Sequence, residues 1–163
     1  MNKIFCIPGR EEKLPDFFTN LELPADVTIG GFEMLGSFAN ISFNSQINAI
    51  KQQITKNYWH QKNILIGRSY GSWLILNSLL LLDKPFPGHV VLISSVLGHG
   101  GVQGFQFTAP GDKSFWQRYT SSSKQLADKI MLIHAKDDEQ CPHDLAIDLL
   151  TNKSIKLFSM ERG

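Results

Sequence analysis

The sequence is poor in cysteine and in charge, and it has no long uninterrupted apolar run. Cys6 and Cys141 are the only cysteines among 163 residues. They form no CxxC pair and no zinc-ligand set, and two thiols are too few for a disulfide scaffold. Charged residues make up 19%, with Lys+Arg 16 against Asp+Glu 15 and a formal net charge of +1. A balance so near zero leaves no electrostatic footprint for nucleic acid or an anionic membrane. Disorder is excluded by the 42% of hydrophobic residues. The apolar stretch at the N-terminus breaks at Pro8-Gly9 after about five residues, short of the roughly 7–15 of a secretory core. The longest apolar run, Trp73 to Leu82, is about half a membrane span and is interrupted by Asn77. These absences point to a reduced, cytoplasmic protein with no membrane span. The length suits one domain, residues 1–163, with a core of its own.

What is present is an alternation of short apolar runs with helix-like segments, without internal repeats. Lys3–Ile7, Asp26–Phe32, Asn63–Gly67, His89–Val96, Lys129–Ala135 and Ser154–Met160 read as strands. Ser45–Trp59 carries Ile47, Ile50, Ile54 and Tyr58 at helical spacing, with Asn44 or Ser45 as its cap. Ser72–Leu82 predicts a helix apolar enough to be mostly buried, ended by Asp83-Lys84-Pro85. A further helix runs from Pro142 to about Leu150, with the proline in its first turn. Strands that are apolar throughout argue for a parallel sheet covered by helices on both faces, an α/β fold of about six strands. The exception is 97–123, a glycine-rich stretch too long for a plain connection, read as a functional flap or as disorder.

Between strand Asn63–Gly67 and the following helix lies Gly67-Arg68-Ser69-Tyr70-Gly71, a G-x-S-x-G. Such a turn is sharp and holds its serine in a strained conformation above the sheet. Small residues two before and two after let strand and helix approach closely. The start of the helix also aims backbone N–H groups at any negative charge that develops there. A plain strand-to-helix turn with a capping serine is the structural alternative. Neither GxxxxGK[ST] nor G-x-G-x-x-G occurs here, so phosphate-loop and dinucleotide readings fail on spacing.

With these residues the chain resembles the α/β-hydrolase family over nearly its whole length. Ile4-Phe5-Cys6-Ile7-Pro8-Gly9-Arg10 is similar to the family's first strand and oxyanion turn, with Pro8 where a histidine is frequent. Gly67–Gly71 matches the nucleophile elbow. His134 to Pro142 is similar to the strand and turn that carry the acid. The resemblance implies Ser69 as nucleophile and the backbone N–H groups of Arg10 and Tyr70 as oxyanion hole. It implies Asp138, four residues before Pro142, as the acid, with Asp137 the competing choice. A solvated turn with a helix cap is the plain reading of this acidic triplet. The implied reaction is serine hydrolysis of an ester or thioester, a small acyl substrate, without cofactor or metal.

A serine needs a base, and the family supplies a histidine after its last strand, in the order Ser, Asp, His. No histidine follows Pro142 here except His143. His60 and His89 fall at the wrong edge of the sheet, at or before strand starts. His134 ends a strand, and His99 follows one at the edge where sites gather. His143 lies in the helix after the acid turn. The expectation is a hydrolase cut short before its histidine loop and last helix, leaving apolar sheet surface uncovered after Ser154–Met160. The alternative is an inactive protein of the same fold that binds a ligand or a protein partner. Phe105, Phe107, Phe115, Trp116 and Tyr119 in the flap either line an acyl pocket or fill the core. Arg10 and Arg68 either attract an anionic substrate group or pair with Glu11 or Glu12. Cys141 reads as an ordinary half-buried thiol. The sequence leaves the oligomeric state open.

Overall fold

Each apolar run becomes a strand or buried helix close to its expected limits. The computed structural model describes residues 2–102, 104–122, 124–151 and 155–162. In chain order these are β1 (Lys3–Ile7), α1 (Leu14–Phe18), β2 (Thr28–Gly31), α2 (Gly36–Asn40), α3 (Phe43–Gln53), β3 (Ile64–Arg68) and α4 (Tyr70–Leu80). There follow β4 (Phe86–Ile93), β5 (His99–Val102), β6 (Phe105–Thr108), α5 (Asp112–Ser121), β7 (Ala127–Ala135), α6 (His143–Asp148) and β8 (Ile155–Met160). Six strands form one parallel sheet in the order β2-β1-β3-β4-β7-β8. Ser154, expected to start the last strand, and Ser123, the expected end of the glycine-rich stretch, lie outside the described residues.

Strand order decides which face each helix covers. The crossovers β2 to β3, β3 to β4, β4 to β7 and β7 to β8 all run the same way across the sheet. Right-handed crossovers therefore bring α3, α4, α5 and α6 to one face, while the reverse step from β1 to β2 sends α1 to the other. The register shows the result. On the helix-rich face, Phe5, Leu65, Val90, Ile130 and Ile155 stand side by side on five strands, all buried. One residue along, Cys6, Ile66, Val91, Met131 and Lys156 make the neighbouring row on the opposite face. Burial fades along that row, from Cys6 at 0% exposure to Met131 at 40%. Phe158 and Met160 on β8 are exposed on that same side. The apolar surface expected beside the last strand is thus open to solvent.

The central helix α4 has all eleven residues buried. It packs against α3, α5 and strands β1, β3 and β4, which is why its sequence shows almost no polar stripe. Its one amide side chain, Asn77, donates to the Trp73 carbonyl at 2.9 Å. Among the described residues no helix is long and apolar enough to cross a membrane.

Several local readings change. The strand expected over His89–Val96 runs three residues earlier, at Phe86–Ile93, and the helix expected over Ser72–Leu82 runs two earlier, at Tyr70–Leu80. The first amphipathic helix begins two residues early, at Phe43, because Ser42 is its cap: the Ser42 hydroxyl accepts the Ser45 N–H at 3.2 Å. Its end is a π-helical turn, Ile54–Tyr58. The second strand is only Thr28–Gly31, narrower than Asp26–Phe32. Pro142 is the residue before α6 rather than part of its first turn, and a 3-10 turn, Leu149–Thr151, follows α6. The stretch 97–123 holds regular structure: an antiparallel hairpin, β5 with β6, and then α5.

Candidate active site

The elbow is built by β3 ending one residue before Ser69 and α4 beginning one residue after it. Ser69 has φ 50° and ψ −119°, a backbone region that residues with a Cβ avoid. Its neighbours make that conformation compulsory. A Cβ on Gly67 would stand 2.6 Å from Ser72 Cα, and one on Gly71 would stand 2.1 Å from the Ile7 carbonyl oxygen. Only glycine lets β3, α4 and the end of β1 come this close. The backbone of Ser69 is pinned as well: its N–H donates to the Ile93 carbonyl at 2.9 Å, and its own carbonyl accepts from Ser72 and Val96.

Ser69 opens onto a cleft of about 1200 Å³. Gly9, Arg10, Tyr70, Asp137 and Asp138 also line it. All four residues expected from the sequence to share a site, Ser69, Tyr70, Arg10 and Asp138, are thus brought to one cleft. Gly9 lies against the serine, since a Cβ there would stand 3.6 Å from Ser69 Cβ. The backbone of Arg10 forms a bridge to Met34 that extends the pairing of β1 and β2. The Arg10 guanidinium lies over the Tyr70 ring, 4.6 Å from its centroid. Burial raises the Tyr70 phenol above its ordinary range, and the cation beside it pulls the other way.

The acid turn follows β7. Asp138 Oδ1 accepts the N–H groups of Gln140 at 3.0 Å and Cys141 at 2.8 Å, so the carboxylate folds its own loop. Its second oxygen lies 3.9 Å from His134 Nε2. That histidine is fully buried, and its Nε2 meets the Cys141 carbonyl at 2.5 Å. A carbonyl only accepts, so Nε2 is the donor in this bond, and Nδ1 has no hydrogen-bond partner among the described residues. His134 therefore braces the acid turn from below the cleft. Neighbouring Asp137 is exposed.

None of the five histidines lines the cleft. His99 is exposed on β5, paired in register with Thr108. His143 bonds Ser159 Oγ at 2.9 Å through Nε2 and is half-buried, not solvent-facing. His89 sits on β4 at the far end from the site, and His60 precedes β3.

The aromatic residues of 97–123 divide between the two roles. Phe115 and Tyr119 are core, and Trp116 packs on it. Phe105 and Phe107 line the cleft from β6, Phe105 with 78% of its surface exposed. The hairpin is tied to the acid turn through Gly101 N–H to the Gln140 carbonyl, 3.2 Å. Arg68 forms an ion pair with Glu12. Burial is the main cause that pushes the thiols of Cys6 and Cys141 up to about 12, which leaves both in the unreactive neutral form. No group of residues able to hold a metal ion occurs among the described residues.

What the sequence left open is which acid pairs with Arg68, and the structure shows Glu12. Its carboxylate accepts the Gly9 N–H at 2.8 Å and reaches Arg68 across 56 residues of chain. Only the acidic pair Glu11-Glu12 after the first turn hinted at it.

No family model and no curated protein matches the chain. Solved structures do. The chain is similar to alpha/beta hydrolase domain-containing protein 10 from mouse, at 14% identity and TM-score 0.65, over 99% of this chain and 80% of that one. It is similar to the ydeN gene product of B. subtilis, at 15% identity and TM-score 0.66, over 100% and 87%. An esterase domain from a Rhodothermus marinus protein aligns at 13% identity and TM-score 0.58, over 97% and 74%. Likeness of this kind speaks for architecture, and with the parallel six-stranded sheet it shows that the chain has the α/β-hydrolase fold.

Proposed function

We propose that residues 1–163, acting as one domain, form the nucleophile-bearing body of a serine hydrolase for esters or thioesters. The observation that carries this reading is the backbone of Ser69. A non-glycine residue at φ 50°, enforced by glycines on both sides, is strain that a plain turn has no use for. In the reading, Ser69 Oγ attacks an acyl carbonyl while a base takes the hydroxyl proton. The N–H groups of Arg10 and Tyr70 receive the oxyanion, the alcohol or thiol leaves, and water releases the acid. Asp138 orients the base. That base is none of the five histidines in their present places, since none reaches the cleft, and we place it outside these 163 residues. No cofactor or metal enters the scheme, and a cytoplasmic location fits it.

A second reading has a specific observation behind it. The same absence of histidine at the cleft fits a protein that keeps the cleft only to bind a ligand or partner. Intact mass after treatment with a fluorophosphonate separates the two. An activated serine is expected to give one adduct, lost in Ser69→Ala, on the chain extended past Gly163, and the same adduct on the parent chain would overturn the placing of the base outside it. No adduct on folded parent, and none after the chain is extended past Gly163, would overturn the hydrolase reading and leave the binding one.

A further inference from the structure

We infer that Glu12, Arg68 and Arg10 act as a clasp that sets the distance between the oxyanion loop and Ser69, and that the two arginines are not receptors for a substrate anion. The inference rests on the hydrolase reading above for its catalytic consequence, though the clasp itself is geometry.

The two residues flanking the serine each engage the loop after β1, in opposite senses. From the elbow, Arg68 reaches out to the Glu12 carboxylate. From the loop, Arg10 reaches back over the Tyr70 ring. The residue before Ser69 is thus held by loop residue 12, and the residue after it by loop residue 10. Glu12 makes a third connection, because its Oε2 accepts the Gly9 N–H while its other oxygen faces Arg68. The same carboxylate lies 3.0 Å from where a Cβ of Gly9 would stand, and Ser69 Cβ lies 3.6 Å from that point. Glu12, Gly9 and Ser69 therefore pack around one spot.

This loop needs holding. Glu11 has φ 66°, a left-handed conformation in a residue with a full side chain, so the segment stores strain between Gly9 and Glu12. The proposed oxyanion donor, the Arg10 N–H, belongs to it. An oxyanion donor works only when fixed at hydrogen-bond distance before charge develops. Both guanidinium groups are engaged by the protein itself, one by a carboxylate and one by a ring. Across the cleft stand Asp137, Asp138 and Glu139. An anionic substrate group meets an acidic wall on that side.

Glu12 and Arg68 are partly exposed, with 32% and 48% of their side-chain surface accessible, so the expected effects are moderate. In Glu12→Gln the hydrogen bond to Gly9 survives in kind and the ionic tie is lost. Fluorophosphonate labelling of Ser69 at saturating probe should slow about three- to tenfold, with the half-saturating concentration and the thermal midpoint unchanged. Arg68→Gln should do the same, and Glu12→Ala, which also removes the acceptor of the Gly9 N–H, should slow it further. Amide exchange of the peptide covering residues 8–12 should quicken in each variant, most in Glu12→Ala. That readout does not depend on chemistry at Ser69. If neither the parent nor the chain extended past Gly163 takes label, the hydrolase reading fails while exchange still decides the clasp. Unchanged exchange in these variants, or weaker saturation by an anionic probe alone, would overturn the clasp and return the arginines to substrate binding.

Discussion

A glycine and a serine two residues apart explain most of the elbow. At Gly71 the difficulty is steric, because any Cβ would meet the Ile7 carbonyl at 2.1 Å, and backbone atoms of β1 cannot yield without tearing the sheet. Gly36 offers the contrast: it has φ 57°, yet nothing lies within 4 Å of its missing Cβ. There the penalty is conformational alone. Gly71→Ala should destabilise the protein by about 3 kcal/mol or more, as overpacking against backbone does. Gly36→Ala should lose only about 1–2 kcal/mol, the penalty for a Cβ in the left-handed region. Urea midpoints of the two variants at equal slope would test this. Equal losses would mean that the close approach of α4 to β1 is softer than the geometry implies.

Legibility from sequence follows the reach of each interaction, element by element. β3, the elbow and α4 were readable because a contiguous apolar strand, a five-residue motif and an apolar helix are all local signals. Ser69 came with them as the centre of the motif, whereas Arg10, Tyr70 and Asp138 were named only through the resemblance to the hydrolase family. The start of α3 was misplaced because three of the four positions 42–45, namely Ser42, Asn44 and Ser45, offer capping side chains, and only the backbone shows which one accepts. The β5–β6 hairpin was hidden for a different reason. Gly100 and Gly101 carry no pattern, and they are strand residues because Gly100 packs on the Gln140 carbonyl, where a Cβ would stand 2.0 Å away. The Glu12–Arg68 pair was legible only as one of several alternatives for the two arginines, since its partners are 56 residues apart. The hairpin also carries a prediction at this scale. Phe105 is 78% exposed and lines the cleft, so Phe105→Ser should shift stability by no more than about 0.5 kcal/mol. If the ring meets a bound acyl chain, burying it there is worth about 1.5 kcal/mol. The half-saturating concentration of a long-alkyl fluorophosphonate should then rise about tenfold, and that of a short-alkyl one should hardly move. A parallel rise for both would show that the hairpin acts on the elbow rather than on the alkyl chain.

For the whole molecule, the two faces of the sheet are made of similar residues in unequal surroundings. Leu132 on the helix-rich face is fully buried, while on the other face Met131 beside it and Phe158 on the neighbouring strand are 40% and 51% exposed. Ile93, Ile133 and Val91 add half-buried apolar surface between them. Surface of this kind, next to β8 at the sheet's open edge, favours association between molecules. Replacing Met131 and Phe158 together by Thr puts β-branched residues of high strand preference at both positions and removes little buried area. The double variant should therefore unfold within about 1 kcal/mol of the parent. The parent's light scattering is expected to rise with concentration, and that of the double variant to rise less. Leu132→Ala is the control on the other face. Deleting a fully buried leucine side chain should destabilise the fold by about 2–5 kcal/mol, with no direct relief of association. A parent whose scattering stays flat with concentration would mean that the exposed rows are tolerated by the isolated chain. A double variant as unstable as Leu132→Ala would mean that this face carries folding energy its exposure does not suggest.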